Sequence, residues 1–327
     1  MKKTNLSIFI PHVGCRHRCA FCDQRAIAGT SDDVTGDSVR QIISEKLPNL
    51  IQHSYQCEIA FFGGSFTAIP RQHMLQLLTA ANEYLTLYPD TFTGIRCSTR
   101  PDSIDDDVLL LLKHHGVTAI ELGAQSTDEA VLAKSERGHT AADIRQAAAL
   151  IKKHGFELGL QLMTGLPLDT PSKSLQTARD FVSLHPDTAR IYPTLVMPNT
   201  KLAQMYASGE YQPFDLGTTI QLCAEIYSIF TESNIRTIRI GLNQAEKLKR
   251  DIIAGPWDDT LGERVIARYY LNKLLLHKEK RLRVCYPRRL TSKILGVRGE
   301  NRDELTRLGF DVTFEEDNSL SDIEISV

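Results

Sequence analysis

Strand-like and amphipathic helical runs alternate from Leu6 to about Leu242, and no other feature narrows the available folds so far. Candidate strands lie at Leu6–Pro11, Cys57–Phe62, Gly94–Ser98, Val117–Leu122, Phe156–Met163, Arg190–Val196 and Thr237–Ile240. Helical candidates stand between them at Asp37–Leu47, Gln72–Leu87, Asp105–His115, Ala141–His154, Ser172–Leu184 and Leu216–Glu232. The fifth carries Leu175, Ala178, Phe181 and Val182 on one face. Glycines such as Gly116 and Gly155 close helices at their C-terminal ends. Strands separated by helical crossovers pair in parallel, so the pattern predicts an α/β fold, a partial (β/α)6 TIM-like barrel. Ligands of such barrels sit where the C-terminal ends of the strands meet the βα loops. The pattern changes after about residue 243, which predicts two parts: 1–275, a barrel with a helical extension, and 276–327, a small C-terminal α/β appendage.

At 327 residues, 42% apolar and 24% charged, the chain has enough material for a buried core. Thirty-eight basic against forty acidic residues give no whole-chain attraction to nucleic acid or membrane, so a polyanion site has to be local. No apolar run approaches the roughly 20 residues of a bilayer span. Met1-Lys2-Lys3 followed by Leu6 to Pro11 imitates an export signal, but the apolar stretch is shorter than the roughly 7–15 residues such signals need. The seven cysteines are odd in number, and three of them crowd into one loop. That distribution argues against a secreted disulfide framework and for a reducing cytoplasm.

The crowded loop reads Cys15-Arg16-His17-Arg18-Cys19-Ala20-Phe21-Cys22 and follows the first candidate strand, on the ligand-binding face. Three thiolates at this CxxxCxxC spacing can hold three irons of a cubane and leave the fourth without a protein ligand. Three cysteines with His12 or His17 could instead make a structural zinc site of the Cys₃His type. Cys57, Cys97, Cys223 and Cys285 lie in apolar runs and read as buried thiols acting as small hydrophobes.

With the aromatic Phe21 before its last cysteine, the loop resembles that of the radical S-adenosylmethionine superfamily. Further motifs sharpen the likeness: Phe61-Phe62-Gly63-Gly64-Ser65-Phe66-Thr67 after the second strand and Thr99-Arg100-Pro101-Asp102 after the third. Glu121-Leu122-Gly123-Ala124-Gln125-Ser126 follows the fourth, with Arg137-Gly138-His139-Thr140 a little later. Over about residues 6–245 these resemble the radical-SAM domain of the Elongator catalytic subunit and its bacterial relatives. The resemblance implies a barrel of radical-SAM type, a 4Fe-4S cluster on Cys15, Cys19 and Cys22, and S-adenosyl-L-methionine as the second cofactor. It implies cofactor contacts by Phe21, by Gly63, Gly64 and Ser65 to the methionine amino group, and by Gln125 and Ser126 to ribose or substrate. Tyr192 and Thr194 would lie by the adenine, and Gln161, within an apolar strand, should face the barrel interior or have a buried partner.

Simpler readings exist for several of these residues. Arg100-Pro101-Asp102 can start a helix, Glu121 can pair with Arg100, and Arg137 to Thr140 can cap the helix beginning near Ala141.

From Lys278 to Arg307 there are ten Lys or Arg against four Asp or Glu, while Asp311 to the end holds six acids and no base. A basic cluster is the footprint of a phosphate-backbone binder. Within it Gly296-Val297-Arg298-Gly299, between two short helical runs, resembles the GxxG loop of KH modules, so Lys293, Gly296, Arg298 and Gly299 are the candidate RNA contacts. The expected function is generation of a 5′-deoxyadenosyl radical for modification of a tRNA nucleoside, with an electron donor such as flavodoxin or ferredoxin. No membrane or stable protein partner is indicated. The roughly 80 residues after the barrel are too few for the acetyltransferase domain of Elongator, so its carboxymethyl chemistry is not expected. The competing readings are a radical-SAM enzyme on a small metabolite such as a porphyrinogen and a non-catalytic, zinc-dependent RNA-binding module.

Overall fold

The computed structural model describes residues 2–10, 13–15, 18–23, 34–242 and 246–326. One sheet holds seven strands in chain order: β1 (Lys3–Ile10), β2 (Gln56–Gly63), β3 (Phe92–Thr99), β4 (Val117–Gln125), β5 (Glu157–Thr164), β6 (Thr188–Pro193) and β7 (Arg236–Ile240). Every neighbouring pair is parallel. The connecting helices are α1 (Gly36–Gln52), α2 (Arg71–Leu87), α3 (Asp106–His114), α4 (Glu129–Lys134), α5 (Ala141–Lys153), α6 (Pro171–Ser183), α7 (Lys201–Ala207) and α8 (Leu216–Glu232). The expected partial barrel is therefore present, with a seventh strand beyond the six βα units. β1 and β7 are its edges and do not pair with each other, so the sheet curls without closing.

Local sequence explains where the helices begin. Thr140 accepts from the Asp143 backbone while Asp143 accepts from Thr140, a reciprocal cap at the start of α5. Asp105 caps α3 through the Val108 amide at 2.8 Å. The sixth strand is shorter than its candidate: it ends at Pro193, and Val196 forms an isolated bridge to Ala254. The short helices α4 and α7 were not legible, since one or two turns carry too little periodicity.

The two faces of the sheet differ chemically. On the convex face Ile8, Ile59, Phe61, Ile95, Cys97, Ile120, Leu158 and Ile191 pack with Ile43, Leu77, Leu112, Ile151, Phe181 and Phe230 of the helices. On the concave face a charged lattice crosses the strands. Arg96 of β3 lies 2.8 Å from Glu58, 2.9 Å from Glu157 and 3.4 Å from Glu121, and Arg190 donates to Glu121 at 2.8 Å. Glu121 therefore pairs with Arg96 and Arg190, not with Arg100 as the sequence suggested; Arg100 has Asp102 as its partner at 2.9 Å.

Beyond β7 come α9 (Glu246–Asp251) and α10 (Leu261–Leu275), then β8 (Arg281–Tyr286), α11 (Thr291–Leu295), α12 (Glu300–Arg307), β9 (Asp311–Glu316) and β10 (Glu324–Ser326). β8 and β9 are parallel and β10 joins β8 antiparallel. Val265, Tyr269 and Leu274 of α10 belong to the same apolar cluster as Leu282, Val284, Ile294 and Leu305. Buried Asn301 fastens the junction, donating to the Ala267 carbonyl at 2.8 Å and the Ile294 carbonyl at 2.9 Å. Among the described residues no helix is long and apolar enough to cross a membrane.

Truncating Glu121 would strand Arg190 and weaken the hold on Arg96 inside the barrel. Glu121→Ala is expected to cost about 3–5 kcal/mol by urea denaturation, well above the effect of Glu58→Ala, whose carboxylate is partly exposed.

Candidate functional site

Backbone hydrogen bonds hold the first βα loop against the second. The Gly64 amide donates to the Ile10 carbonyl and the Ser65 amide to the Val13 carbonyl, both at 2.9 Å. A Cβ on Gly64 would stand 2.0 Å from Val13 O, and one on Gly14, whose φ is +78°, 2.3 Å from Ser65 O. Glycine at these two positions is demanded by the contact of one loop with the other. Further along, the Ala20 amide donates to the Ser135 carbonyl at 3.0 Å and the Leu202 amide to the Ala20 carbonyl at 2.7 Å. The cysteine loop is thus tied to the segments after β2, α4 and β6.

These ties set Cys15, Cys19 and Cys22 on the wall of a cavity of about 520 Å³ over the concave face of the sheet. Phe21, Gly63, Gly64, Gln125, Gln161 and Tyr192 line the same cavity. Gln161 donates to the Gln125 side-chain oxygen at 3.0 Å, and Gln125 sits at the end of β4 with a left-handed φ of 69° that only surrounding structure can sustain. Ser65 and Ser126 are not among the residues on this wall. The Ser65 hydroxyl bonds Thr99 at 2.9 Å and the Ser126 hydroxyl accepts from the Asp128 amide at 3.1 Å. Thr194 spends its hydroxyl on the Thr164 carbonyl at 2.7 Å. Lys293, Gly296, Arg298 and Gly299 do not line this cavity. They lie in and before the turn joining α11 to α12, with Arg298 exposed.

Two arginines in the cavity wall had only been read as parts of motifs. Arg137, buried, donates from Nη1 to Cys19 Sγ at 2.9 Å and from Nη2 to the Gly123 carbonyl, and its guanidinium lies 6.0 Å from the Phe21 ring centre. The helix-capping role read for this motif belongs to Thr140 alone. Arg100, equally buried, pairs with Asp102 and donates to the Arg137 carbonyl. Nothing in the polar tetrapeptide 137–140 distinguishes a buried arginine from a surface one.

The electrostatics suit thiolates that acquire a cationic partner. Burial, then Cys19, push the Cys15 thiol upward, against the opposing fields of Arg100 and Arg137. Burial, then Cys19 and Cys15, push Cys22 up to about 12. Thiols pushed upward as Cys15 and Cys22 are become thiolates when a metal centre neutralises them. Among the described residues no three Cys, His, Asp or Glu side chains converge on one point as a single ion requires, and His12 and His17 lie outside the described residues. Sulfurs that share a wall without converging fit the separate corners of a cubane.

Comparison with known proteins agrees with this geometry. The Radical SAM superfamily model matches residues 9–181 and the Radical_SAM C-terminal domain model residues 186–271. The chain is 32% identical over 139 residues to a tRNA uridine(34) acetyltransferase from Dehalococcoides mccartyi, covering 42% of this chain and 30% of that protein. It is 27% identical over 203 residues to human Elongator complex protein 3, covering 57% and 37%. The structure of an N-terminally deleted archaeal Elp3 from Methanocaldococcus infernus superposes with a TM-score of 0.67 at 22% identity, over 84% of this chain and 64% of that one. The chain thus spans about a third of the length of these curated relatives.

Two outcomes test the site. Gly14→Ala or Gly64→Ala should undock the cysteine loop, so iron bound per chain after anaerobic reconstitution falls severalfold while far-UV circular dichroism is kept. Burial, with Arg137 adding, lowers His139 from 6.5 to about 4, so folding favours its neutral form. Its stabilisation is intact above the unfolded value and is lost as pH falls toward the folded one, on the order of 3 kcal/mol in all. Urea midpoints measured between pH 7 and 4 should show this slope, and His139→Gln should flatten it.

Proposed function

Because the chain belongs to the radical SAM superfamily, an enzyme family that works with a 4Fe-4S cluster and S-adenosylmethionine, we propose that it abstracts a hydrogen atom from a tRNA nucleoside at the barrel cavity. The supporting observation is that three cysteines, the Gly63-Gly64 pair, Gln125, Gln161 and Tyr192 share one wall over the concave face. When bound, the two cofactors supply a 5′-deoxyadenosyl radical. The work of the protein is placement and shielding. Cys15, Cys19 and Cys22 would hold the cluster, and backbone groups at Gly63 and Gly64 would receive the methionine end of the second cofactor. Gln125 and Gln161, already bonded to each other, offer neutral donors and acceptors to ribose hydroxyls. Phe9, Phe62 and Met163 add apolar wall that limits water near a reactive carbon. Ser65 and Ser126 would act by supporting the loops beside the cavity, through Thr99 and the start of α4.

The tRNA assignment draws on the relatives named above and on the C-terminal segment, residues 276–327, which we read as an RNA-contacting appendage. There a GxxG turn links two helices between the parallel strands β8 and β9, and it resembles the GxxG loop by which KH modules clamp a nucleic-acid backbone. Its basic excess is narrower than the sequence count suggested. Arg283 pairs with Glu315, Arg307 with Glu304 and Arg281 with Asp311. Lys293 and Arg298 beside the turn are the proposed phosphate contacts. A flavodoxin or ferredoxin of a reducing cytoplasm would supply the electron.

Anaerobically reconstituted protein should be brown and release 5′-deoxyadenosine from S-adenosylmethionine. Release should be fastest with tRNA from a strain deleted for this gene, whose digested nucleosides should differ from wild type at one species. Cys15→Ala, Cys19→Ala and Cys22→Ala should each abolish iron retention and cleavage. Fastest turnover with a small metabolite such as a porphyrinogen, and indifference to RNA, would overturn the tRNA assignment. Arg298→Glu with Lys293→Glu should weaken tRNA binding at low salt and flatten the salt dependence by about one unit of slope per lost contact.

A further inference from the structure

Arg100 and Arg137 are held differently. A charge removed from water needs compensation. Arg100 has it, with Asp102 oxygens at 2.9 and 3.1 Å from Nε and Nη2. Arg137, 5% exposed, directs Nη1 at Cys19 Sγ at 2.9 Å and Nη2 at a backbone carbonyl. Among the described residues its Nε, like Nη1 of Arg100, is buried without a hydrogen-bond partner, but Arg137 has no carboxylate of its own among its hydrogen-bond partners. The link from Arg100 Nη2 to the Arg137 carbonyl fixes the segment that carries it. Neither guanidinium is needed to cap α5, which Thr140 and Asp143 accomplish. A guanidinium set against the Cys19 sulfur, on a segment braced by the Arg100–Asp102 ion pair, places a fixed positive charge beside one of the three cysteines.

We propose that Arg137 is a positioning residue that raises the reduction potential of the cluster through its charge-assisted hydrogen bond to Cys19, while Asp102 acts in the opposite sense from behind Arg100. The inference rests on the cluster assignment made above. Taking up one electron adds a negative charge to a centre already carrying three thiolates. A cation hydrogen-bonded to a ligand sulfur stabilises that added charge more than it stabilises the oxidised form. The low dielectric of a buried wall enlarges the difference.

The test is an EPR-monitored potentiometric titration of the full chain, reconstituted anaerobically and without S-adenosylmethionine, for wild type, Arg137→Gln, Arg137→Lys and Asp102→Asn. At the wild-type midpoint potential the ratio of reduced to oxidised cluster should fall about tenfold in Arg137→Gln, equivalent to about 59 mV for a one-electron couple. It should fall less in Arg137→Lys, and in Asp102→Asn it should rise. Opposite signs from neutralising a cation and an anion are not produced by general loosening of the loop. If Arg137→Gln retains too little iron to titrate, Arg137→Lys and Asp102→Asn carry the same comparison of sign. Midpoints that coincide in the loaded variants, or that move in one direction for both charges, overturn the inference. A wild-type chain that takes up no iron and sulfide overturns the functional reading itself.

Discussion

Seven parallel strands place alternate side chains on opposite faces, and the structure depends on how differently those faces are filled. Outward residues meet helices in a continuous apolar layer, while inward residues of β2 to β6 include Glu58, Arg96, Glu121, Glu157 and Arg190. A barrel of this type is ordinarily packed through its centre by branched side chains. Here ion pairs span the floor instead, and they require the space above them to remain polar and open. The cavity is a consequence of that choice of residues, and the cysteine loop covers its upper end.

The strand period made much of the site legible before any coordinates. Glu121, Gly123 and Gln125 share one parity on β4, and all three line the cavity. Ser126 lies past the end of the strand, after the left-handed turn at Gln125, and its hydroxyl accepts from the Asp128 amide. Arg190 has the parity of Tyr192 on β6 and could have been placed in the interior from sequence on that ground. What period cannot reveal is partnership across distance. Arg96 and Arg190 meet Glu121 across strands, and only the register from β3 through β6 brings those side chains together. Arg137 was hidden for a related reason: it lies in a loop, where no periodicity reports burial.

The glycines teach a further point. The family resemblance implies a cofactor contact at the Gly-Gly pair, and Gly63 and Gly64 do border the cavity. Yet the atoms nearest a side chain at Gly64 belong to the Val13 and Ile10 carbonyls. One motif therefore meets two needs, the approach of a small molecule and the seating of the cysteine loop, and the latter is invisible until both loops are seen together.

Asn301 sits where the last helix of the barrel region meets the C-terminal sheet, and both of its side-chain hydrogens go to carbonyls on either side of that joint. A hinge would not be built this way. The apolar cluster is continuous across it, so the C-terminal sheet packs as part of the same core as the barrel helices. Under the proposed reading, an RNA held at the turn would have to present its reactive nucleoside at the span that this joint sets between the turn and the cavity.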